Sequence, residues 1–500
     1  MKKILIPLRI TLFAALAACA LYGLSRLTIL KESEEKLRPF LDAAGQHDVL
    51  FLGDSQVTYG LSPLEIYKKY GISCYNLATV NSTLPMSYWT LRCALDYAAP
   101  RVAVISVKDI QMPGRLPDAF ERVHTALDGF PLNATKARAI LDLTSGVPRS
   151  PDGLTPVEMR LELLFPLAKY HSRWSKLTSG DLHPEYNRAK GEVMRRFGAV
   201  DPYEYELLDP DDCAPEEGEG YRYLRKILEL CRDRGIEPVV ILPPHPTRAA
   251  TMRAAHTAGK IAEEYGAPML NFVDMDRVAD YFCDCDDPES HLNPSGVRKV
   301  SDYLGRYLAD HYSLPDHRGD GAFASWEKDV DAYIDRKLDV LANSAEDFRS
   351  QLALLHDEDW NLVLTVRDGF EYSGEHTREA LQNIARPHVF EGDDQRSNDL
   401  RPLTLLREAA REDTCYLMIV DRDWDYITEY YGYSEDEYET SFGYVFCRMN
   451  DYRMDLSLTQ DEEEVYYFES DEEMAADIRA LVIDRRTGKV ALTLSFSREE

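Results

Sequence analysis

The sequence lacks a cysteine framework. Its nine cysteines are odd in number and scattered, and no C-x-x-C spacing is repeated. Disulfide-rich secreted domains and zinc ribbons both need such spacing, so the sequence predicts neither class of protein. A Cys-Asp-Cys triplet lies at 283–285 near His291, but no second histidine stands at ligand spacing. We therefore expect neither a metal nor another cofactor.

Positive charge is also scarce. The chain has 57 Lys and Arg against 87 Asp and Glu, which gives a formal net charge of -30 at pH 7. Such a chain repels polyanions, which counts against nucleic acid as a partner and against anionic glycans bound over a broad surface. The acidic run Gln460 to Glu464 is interpreted as a solvated face, with calcium binding as the alternative.

The amino end carries the longest apolar stretch. Residues 10–24 are mainly apolar and follow three basic residues. We interpret residues 1–31 as a single membrane anchor with its amino end in the cytoplasm, because positive charge is retained on that side. The alternatives are a cleaved signal peptide and a lipoprotein signal ending at Cys19, although apolar residues continue past that point. All three interpretations export the rest of the chain.

The remaining chain is interpreted around residues 48–60, DVLFLGDSQVTYG. The apolar run 49–52 predicts a strand that is buried on both faces of a parallel sheet. Gly53 allows a tight turn, and Asp54 and Ser55 follow at the carboxyl end of the strand, where open α/β sheets bind their ligands. This position is suited to a nucleophile, and we interpret Ser55 as one.

A serine hydroxyl needs a base to accept its proton, and a carboxylate commonly orients that base. The candidate base is His291, in the stretch 286–296, DDPESHLNPSG. Acidic residues precede it, and Asn293 followed by Pro294 predicts the start of a helix behind it. We therefore expect the imidazole to lie on a loop held by that helix.

Strands and helices alternate through the first part of the chain, which predicts a doubly wound parallel sheet. The predicted strands are 49–52, 72–77, 101–107, 239–242 and 269–273. The gap before the fourth strand is too long for one crossover, so residues 110–215 are predicted to form a mainly helical cap over the strand ends.

The predicted cap contains basic and aromatic residues in an otherwise acidic chain. They are candidates for substrate binding, with surface and packing roles as the alternative. The set comprises Arg122, His124, Lys169, His171, Arg173 and Trp174. His245, just past the fourth predicted strand, is a further candidate for the pocket.

The Gly-Asp-Ser turn and the His-Leu-Asn block together resemble the SGNH, or GDSL-type, hydrolase superfamily. The motif order is closer still to membrane-anchored SGNH-like proteins of Gram-positive bacteria, through Tyr-Asn-Leu at 75–77 and Tyr-His-Ser-Arg-Trp at 170–174. The resemblance covers roughly residues 48–333. It implies a flavodoxin-like α/β domain over 32–344 and a Ser55–His291–acid triad.

Two blocks depart from the family pattern. The family acid precedes the histidine by three residues, where this chain has Pro288, so the acid is assigned to Asp287 with Asp286 or Glu289 as alternatives. A Gly-x-Asn-Asp block that supplies an oxyanion donor is replaced by residues 106–109, Ser-Val-Lys-Asp. The backbone N–H of Ser55 is then the first expected donor, and the loop 78–83 supplies a second. The oxyanion and pocket candidates are Asp54, Asn81 and Lys108.

From about residue 345 the pattern changes to short predicted strands, which indicates a separate β-rich accessory domain over 345–500. Its end, 478–497, resembles the β-rich domain of interleukin-like epithelial-mesenchymal-transition inducers and the glycan-binding stem of certain glycosyltransferases. Aromatic residues beside acidic ones, at 423–426 and 429–431, suit stacking on sugar rings, with strand packing as the alternative.

These features predict an exported serine esterase or O-acyltransferase that acts on acylated cell-surface carbohydrate. The alternative is a catalytically inactive envelope protein that keeps the fold and binds glycan or a protein partner. A carboxylate within hydrogen-bond reach of the His291 imidazole would favour the enzyme.

Overall fold

The computed structural model describes most of the chain in two compact units. The described residues are 2–29, 31–183, 186–196, 208–273, 278–279, 284–287, 291–344, 357–366, 409, 414–449, 454–469 and 478–496. The first unit comprises Met1–Val193, Glu204–Asp274 and Leu304–Val330. The second comprises Met194–Tyr203, Met275–Tyr303 and Asp331–Glu500.

A five-stranded parallel sheet forms the centre of the first unit, as the alternation of strands and helices predicts. Its strands are β1 (Val49–Leu52), β2 (Cys74–Asn76), β3 (Val102–Ser106), β4 (Glu237–Leu242) and β5 (Met269–Asn271). The order across the sheet is β2-β1-β3-β4-β5. β1 pairs with β2 on one side and β3 on the other, and all four of its residues are buried, which explains its unbroken apolar sequence.

Helices pack against this sheet, and several helices lie in the long chain segment between β3 and β4. The described helices are α1 (Lys2–Thr28), α2 (Lys31–Asp42), α3 (Ser55–Thr58), α4 (Pro63–Tyr70), α5 (Leu84–Ala94), α6 (Glu121–Leu127), α7 (Ala134–Leu143), α8 (Pro156–Leu164), α9 (Leu167–Tyr170), α10 (Ser179–Leu182), α11 (Glu219–Arg234), α12 (Ala249–Glu264), α13 (Pro294–His311) and α14 (Ala324–Ser344). Short 3-10 helices lie at Ala44–Gln46, His171–Lys176 and Gly321–Phe323. The inserted helices α6 and α7 contact α5, and α6 also contacts α2.

The amino-terminal helix α1 contains one segment that is long and apolar enough to cross a membrane. The segment Ile10–Thr28 has 19 residues and a mean hydropathy of 1.7. Length and composition of this kind also fit a signal sequence. The finding is therefore an apolar amino-terminal helix, compatible with an anchor or a signal.

The carboxyl-terminal part of the second unit is antiparallel and β-rich. One sheet has the order β12-β11-β10-β9 and the other the order β14-β13-β6-β7-β8. Their strands are β6 (Trp360–Val366), β7 (Tyr416–Asp421), β8 (Tyr426–Tyr431), β9 (Ser434–Thr440), β10 (Gly443–Met449), β11 (Met454–Gln460), β12 (Glu463–Glu469), β13 (Ile478–Asp484) and β14 (Lys489–Phe496). A shared core joins the two sheets, with Val363, Ile419 and Leu481 from one and Val445 and Leu456 from the other.

Two acidic segments of this region form turns between strands. Asp461 and Glu462 connect β11 to β12 and both have positive φ, 50° and 67°, as a type I′ hairpin turn requires. Between β7 and β8, the Asp421 carboxylate accepts hydrogen bonds from the backbone N–H groups of Asp423 and Trp424. Local backbone geometry therefore accounts for the polar residues at both places.

Candidate active site

Ser55 begins a short helix directly after the central strand β1. Asp54 is the N-cap of α3, and its carboxylate accepts a hydrogen bond from Gln56 N at 3.2 Å. Its backbone carbonyl oxygen accepts a hydrogen bond from Thr58 N at 3.0 Å. The side chain and the backbone of Asp54 therefore both stabilise the turn. Ser55 is 5% exposed. Strand, turn and helix together place this serine at the carboxyl edge of the sheet, as predicted.

Gly53 is required by the sharpness of this turn. Its φ is +156°, and a Cβ at this position would lie 2.6 Å from Ser106 Cβ and 2.8 Å from Val57 Cγ2. The backbone at Gly53 therefore lies too close to the side chains of Ser106 and Val57 to leave room for a Cβ. The same contact places the Ser55 turn beside the residues that follow β3.

An ion cluster lies where β1 and β3 end. Lys108 Nζ lies 3.0 Å from Asp54 Oδ2 and 3.7 Å from Asp109 Oδ1. Burial lowers the pKa of Lys108, but both carboxylates outweigh this effect, and its pKa is raised above the ordinary value. Burial and the charge of Asp54 raise the pKa of Asp109 to about 7. A cation and two carboxylates thus lie together at this edge of the sheet, with Lys108 and Asp109 from the segment after β3 and Asp54 from the serine turn.

The loop 78–83 lies next to the serine turn, because Thr79 N donates to Gly53 O at 3.0 Å. Asn81 stands in a turn closed by a hydrogen bond from Ser82 N to Thr79 O, also 3.0 Å long. Its φ is +55° and its side chain is exposed. A left-handed turn position accounts for the asparagine at this point, whatever its role toward a substrate.

His245 follows β4 at the same edge of the sheet. Its Nδ1 lies 2.8 Å from Pro243 O, and Thr247 Oγ1 lies 3.3 Å from its Nε2. Burial lowers the pKa of His245 to about 4. The hydrogen bond with Pro243 opposes this shift, and the nearby positive charge of Lys108 lowers the pKa further. The imidazole is therefore neutral at neutral pH.

The His291 loop, in the second unit, is closed at its base by a short antiparallel pair. Cys285 pairs with Leu292, Asp286 N donates to His291 O at 2.9 Å, and Asn293 N donates to Asp284 O at 2.8 Å. This pairing brings the two ends of the loop together and limits the movement of His291.

The start of α13 holds the same loop from behind. Asn293 Oδ1 accepts from Ser295 N at 3.0 Å and from Gly296 N at 3.2 Å, which confirms the predicted helix cap. The buried Asp284 carboxylate binds Ser295 Oγ at 2.8 Å and Lys299 Nζ at 2.8 and 2.9 Å. The histidine loop is thus fixed to the first turns of a helix, as the Asn-Pro signal indicated.

The imidazole of His291 has a carboxylate partner. Asp287 Oδ2 lies 2.8 Å from His291 Nδ1, and Asp287 Oδ1 accepts from His291 N at 3.2 Å. Partial burial raises the pKa of Asp287, but the hydrogen bonds and charge of His291 and the charge of Arg195 outweigh it, so the pKa is lowered. This carboxylate therefore stays ionised, and it orients the ring through Nδ1.

Arg195 is the residue of this half-site that the sequence did not indicate. Its guanidinium donates to Asp287 Oδ2 at 2.7 Å and to the neighbouring Asp286. More than 90 residues separate these partners in the chain, and no local pattern predicts such a pairing. Asp286, one alternative acid, thus contacts Arg195 in place of the imidazole. Glu289, the other alternative, lies outside the described residues, as does Cys283.

The predicted substrate-binding residues of the insertion have partners within the first unit. His124 is buried, with Nδ1 2.9 Å from Asp128 Oδ2. Burial lowers the pKa of His124, but Asp128 outweighs it and the pKa is raised. Arg173 donates to the carbonyl oxygens of Thr28 and Ile29 at 2.6 Å each, at the end of α1.

Of the other four insertion candidates, Arg122 and Lys169 are half-buried and lie 3.9 Å from Glu32 and Glu162, respectively, and the remaining two are at the surface. Trp174 is 72% exposed. His171 is exposed, with Nδ1 3.0 Å from Ala168 O. Helix packing and the end of α1 therefore explain His124 and Arg173, and Trp174 remains available to a partner.

No protein-family model matches this sequence, and a search of curated proteins found no match. The resemblance to SGNH hydrolases therefore rests on the sequence motifs alone.

Proposed function

We propose that this chain is a membrane-anchored serine esterase or O-acyltransferase of the SGNH type, acting on acylated carbohydrate at the cell surface. The observations that carry the proposal are the pair formed by His291 and Asp287 in the second unit and the buried serine turn at the end of β1 in the first. A hydrogen-bonded imidazole and carboxylate are what an activated serine requires.

The sheet topology supports the same proposal. The order β2-β1-β3-β4-β5 is that of flavodoxin-like sheets, in which ligands bind where the strand order reverses, between β1 and β3. Ser55 follows β1, and Lys108 follows β3. The proposed nucleophile and the cation therefore flank the position at which such sheets bind their substrates.

In the proposed mechanism, Ser55 Oγ attacks the ester carbonyl of the substrate while His291 Nε2 accepts the serine proton. Asp287 holds the imidazole and stabilises its charged form, and Arg195 holds Asp287 in turn. The protonated His291 then gives its proton to the departing sugar oxygen. The acyl group is left on Ser55 and passes either to water, in an esterase, or to a second sugar hydroxyl, in a transferase.

The proposed location follows from α1 and from the net charge. We infer that Ile10–Thr28 crosses the cytoplasmic membrane and leaves the catalytic region outside the cell. At a formal charge of -30 the chain as a whole repels anionic polymers, so an anionic glycan would be bound locally.

The proposal is tested by incubating the full chain with an O-acetylated polysaccharide and measuring the acetate released, with and without a free sugar acceptor. Acetate release identifies an esterase, whereas acetyl transfer to the acceptor identifies a transferase. Ser55→Ala should abolish either product. Ser106→Ala removes a neighbouring hydroxyl at the same sheet edge and should retain activity. Folded wild-type protein that forms neither product from several acyl glycans would favour the glycan-binding alternative.

A further inference from the structure

Among the exposed apolar side chains of the helical insertion, five large ones lie between residues 157 and 182. Their exposed fractions range from 49% to 72%. The set, here named the apolar rim, comprises Val157, Leu161, Phe165, Trp174 and Leu182. Single exposed apolar residues are ordinary on protein surfaces, whereas a group of them in one region marks an interaction site.

The first part of the apolar rim is one face of α8 and its end. Val157, Leu161 and Phe165 recur every four residues, so they form a stripe along one side of the helix. Met159 and Leu163 are fully buried and form the other apolar face, inside the core of the first unit. The core therefore uses one face of α8 and leaves a second apolar face without a function in folding.

The second part of the apolar rim adjoins the end of α1. Leu167 N donates to Ser25 Oγ at 3.3 Å, and Phe165 stands two residues before it. Trp174 follows Arg173, whose guanidinium caps the last carbonyl groups of α1 and also binds Asp181, the neighbour of Leu182. Phe165, Trp174 and Leu182 are thus each one or two residues away from a residue that is hydrogen-bonded to the end of α1 or to Arg173.

The length of α1 determines the depth at which the apolar rim would meet a bilayer. The 19 residues Ile10–Thr28 span about 28 Å at about 1.5 Å per residue. A bilayer has a hydrocarbon core about 30 Å thick, so an α1 that crosses it ends at Thr28 in the headgroup region. Arg173, hydrogen-bonded to the Thr28 carbonyl, then lies at the same depth. The neighbouring Trp174 and the exposed Lys176 are residue types enriched at that interface.

We propose that the apolar rim docks into the headgroup region of the lipid bilayer and so holds the first unit against the membrane. This inference rests on the proposed anchor, since without α1 in the bilayer nothing brings the rim to lipid. Docking of this kind is driven by apolar area, so it does not require anionic lipid. It also gives Trp174 a function that does not depend on substrate.

The test uses the tryptophan fluorescence of the full chain in phosphatidylcholine vesicles that contain phosphatidylcholine brominated at carbons 6 and 7. Bromine at this depth quenches only tryptophans that enter the interface. Of the five tryptophans, Trp89, Trp326 and Trp360 are buried, whereas Trp174 and Trp424 are exposed. Trp174→Phe should remove most of the bromine-dependent quenching, and the matched variant Trp424→Phe should leave it unchanged.

A second variant tests the α8 stripe without touching a tryptophan. Leu161→Ser with Phe165→Ser should weaken the quenching of Trp174, because the rim then loses apolar area that holds it in the interface. Both positions are exposed, so the core of the first unit is not altered. Unchanged quenching in this variant would contradict the proposed docking by α8.

Failure of the docking and failure of the anchor are distinguishable by flotation of the same vesicles. A chain that floats with vesicles, with Trp174 unquenched by bromine and accessible to aqueous iodide, keeps the anchor and overturns the docking. A chain that does not float overturns the anchor and, with it, this inference. Trp174 shielded from both bromine and iodide would indicate a protein partner or a second copy, and would also overturn the proposal.

Discussion

At the residue scale, the carboxylates of the candidate residues differ in the groups that they contact. Asp287 contacts the His291 imidazole and Asp286 contacts Arg195, although the two are adjacent in the chain. Asp54 caps α3 and binds Lys108. The distribution of partners, rather than the residue type, separates the proposed catalytic acid from its neighbours.

The first prediction compares Asp287→Asn with Asp286→Asn. An amide at 287 no longer stabilises a charged imidazole, so the rate of acyl-enzyme formation should fall by roughly 10²–10⁴-fold. Asp286→Asn leaves the contact between Asp287 and His291 in place and should lower the rate less than about tenfold. Burst kinetics with an aryl acetate measure both. Equal losses would contradict the assignment of Asp287 as the acid.

The second prediction concerns Asp109 and pH. Because its pKa is raised from 3.8 to about 7, the folded chain binds more protons than the unfolded chain between these values. The contribution of Asp109 to stability is therefore present at low pH and is lost as the pH rises through this window. Asp109→Asn should gain roughly 1–3 kcal/mol relative to wild type between pH 5 and pH 8.

Urea denaturation at pH 5, 6.5 and 8, at constant ionic strength, measures this difference between variant and wild type. Asp233→Asn is the matched control, since it makes the same substitution at an exposed carboxylate. A difference for Asp109→Asn that does not change with pH would contradict the raised pKa.

At the element scale, the serine turn depends on the close approach of β1 to the end of β3. Gly53→Ala places a methyl group against Ser106 Cβ and should destabilise the fold by roughly 2–4 kcal/mol. Gly146→Ala also has positive φ but meets open space, and should cost only about 1–2 kcal/mol. Adding Ser106→Gly should recover part of the loss at Gly53. Equal costs for the two glycines, measured by urea denaturation, would contradict the steric argument.

The parallel strands could be predicted because each is an apolar run between turn or helix signals. The predicted first strand, 49–52, coincides with β1, and the other four overlap β2 to β5 with shifts of one or two residues at most ends. A local signal also predicted the Asn293 helix cap. These features depend on residues close together in the chain.

In the second unit, the predicted strands 362–366, 415–420, 442–447, 480–483 and 490–496 overlap β6, β7, β10, β13 and β14, whereas β8, β9, β11 and β12 were missed. β9 reads SEDEYET, and the acidic residues on its exposed face hide the strand pattern in the sequence. The partners of Arg195 and Lys108 were also missed, because ion pairs between distant residues leave no periodic signal. The sequence therefore indicated the proposed nucleophile, base and acid, whereas the ion pairs of Arg195 and Lys108 emerged only from the fold.

At the scale of the whole molecule, Ser55 lies in the first unit and His291 in the second. The proposed enzyme therefore depends on residues of both units. His245 provides a competing base, since it stands in the same unit as Ser55 at the same sheet edge. The central claim is that Ser55 is activated by His291.

The most direct measurement of this claim is the reaction of the full chain with a serine-directed organophosphonate, read by intact mass and peptide mapping. Wild type should gain one label, on Ser55. Ser55→Ala and His291→Ala should both lose it, whereas His245→Ala should keep it. Labelling of His291→Ala at the wild-type rate, or folded wild-type protein that gains no label, would contradict the account.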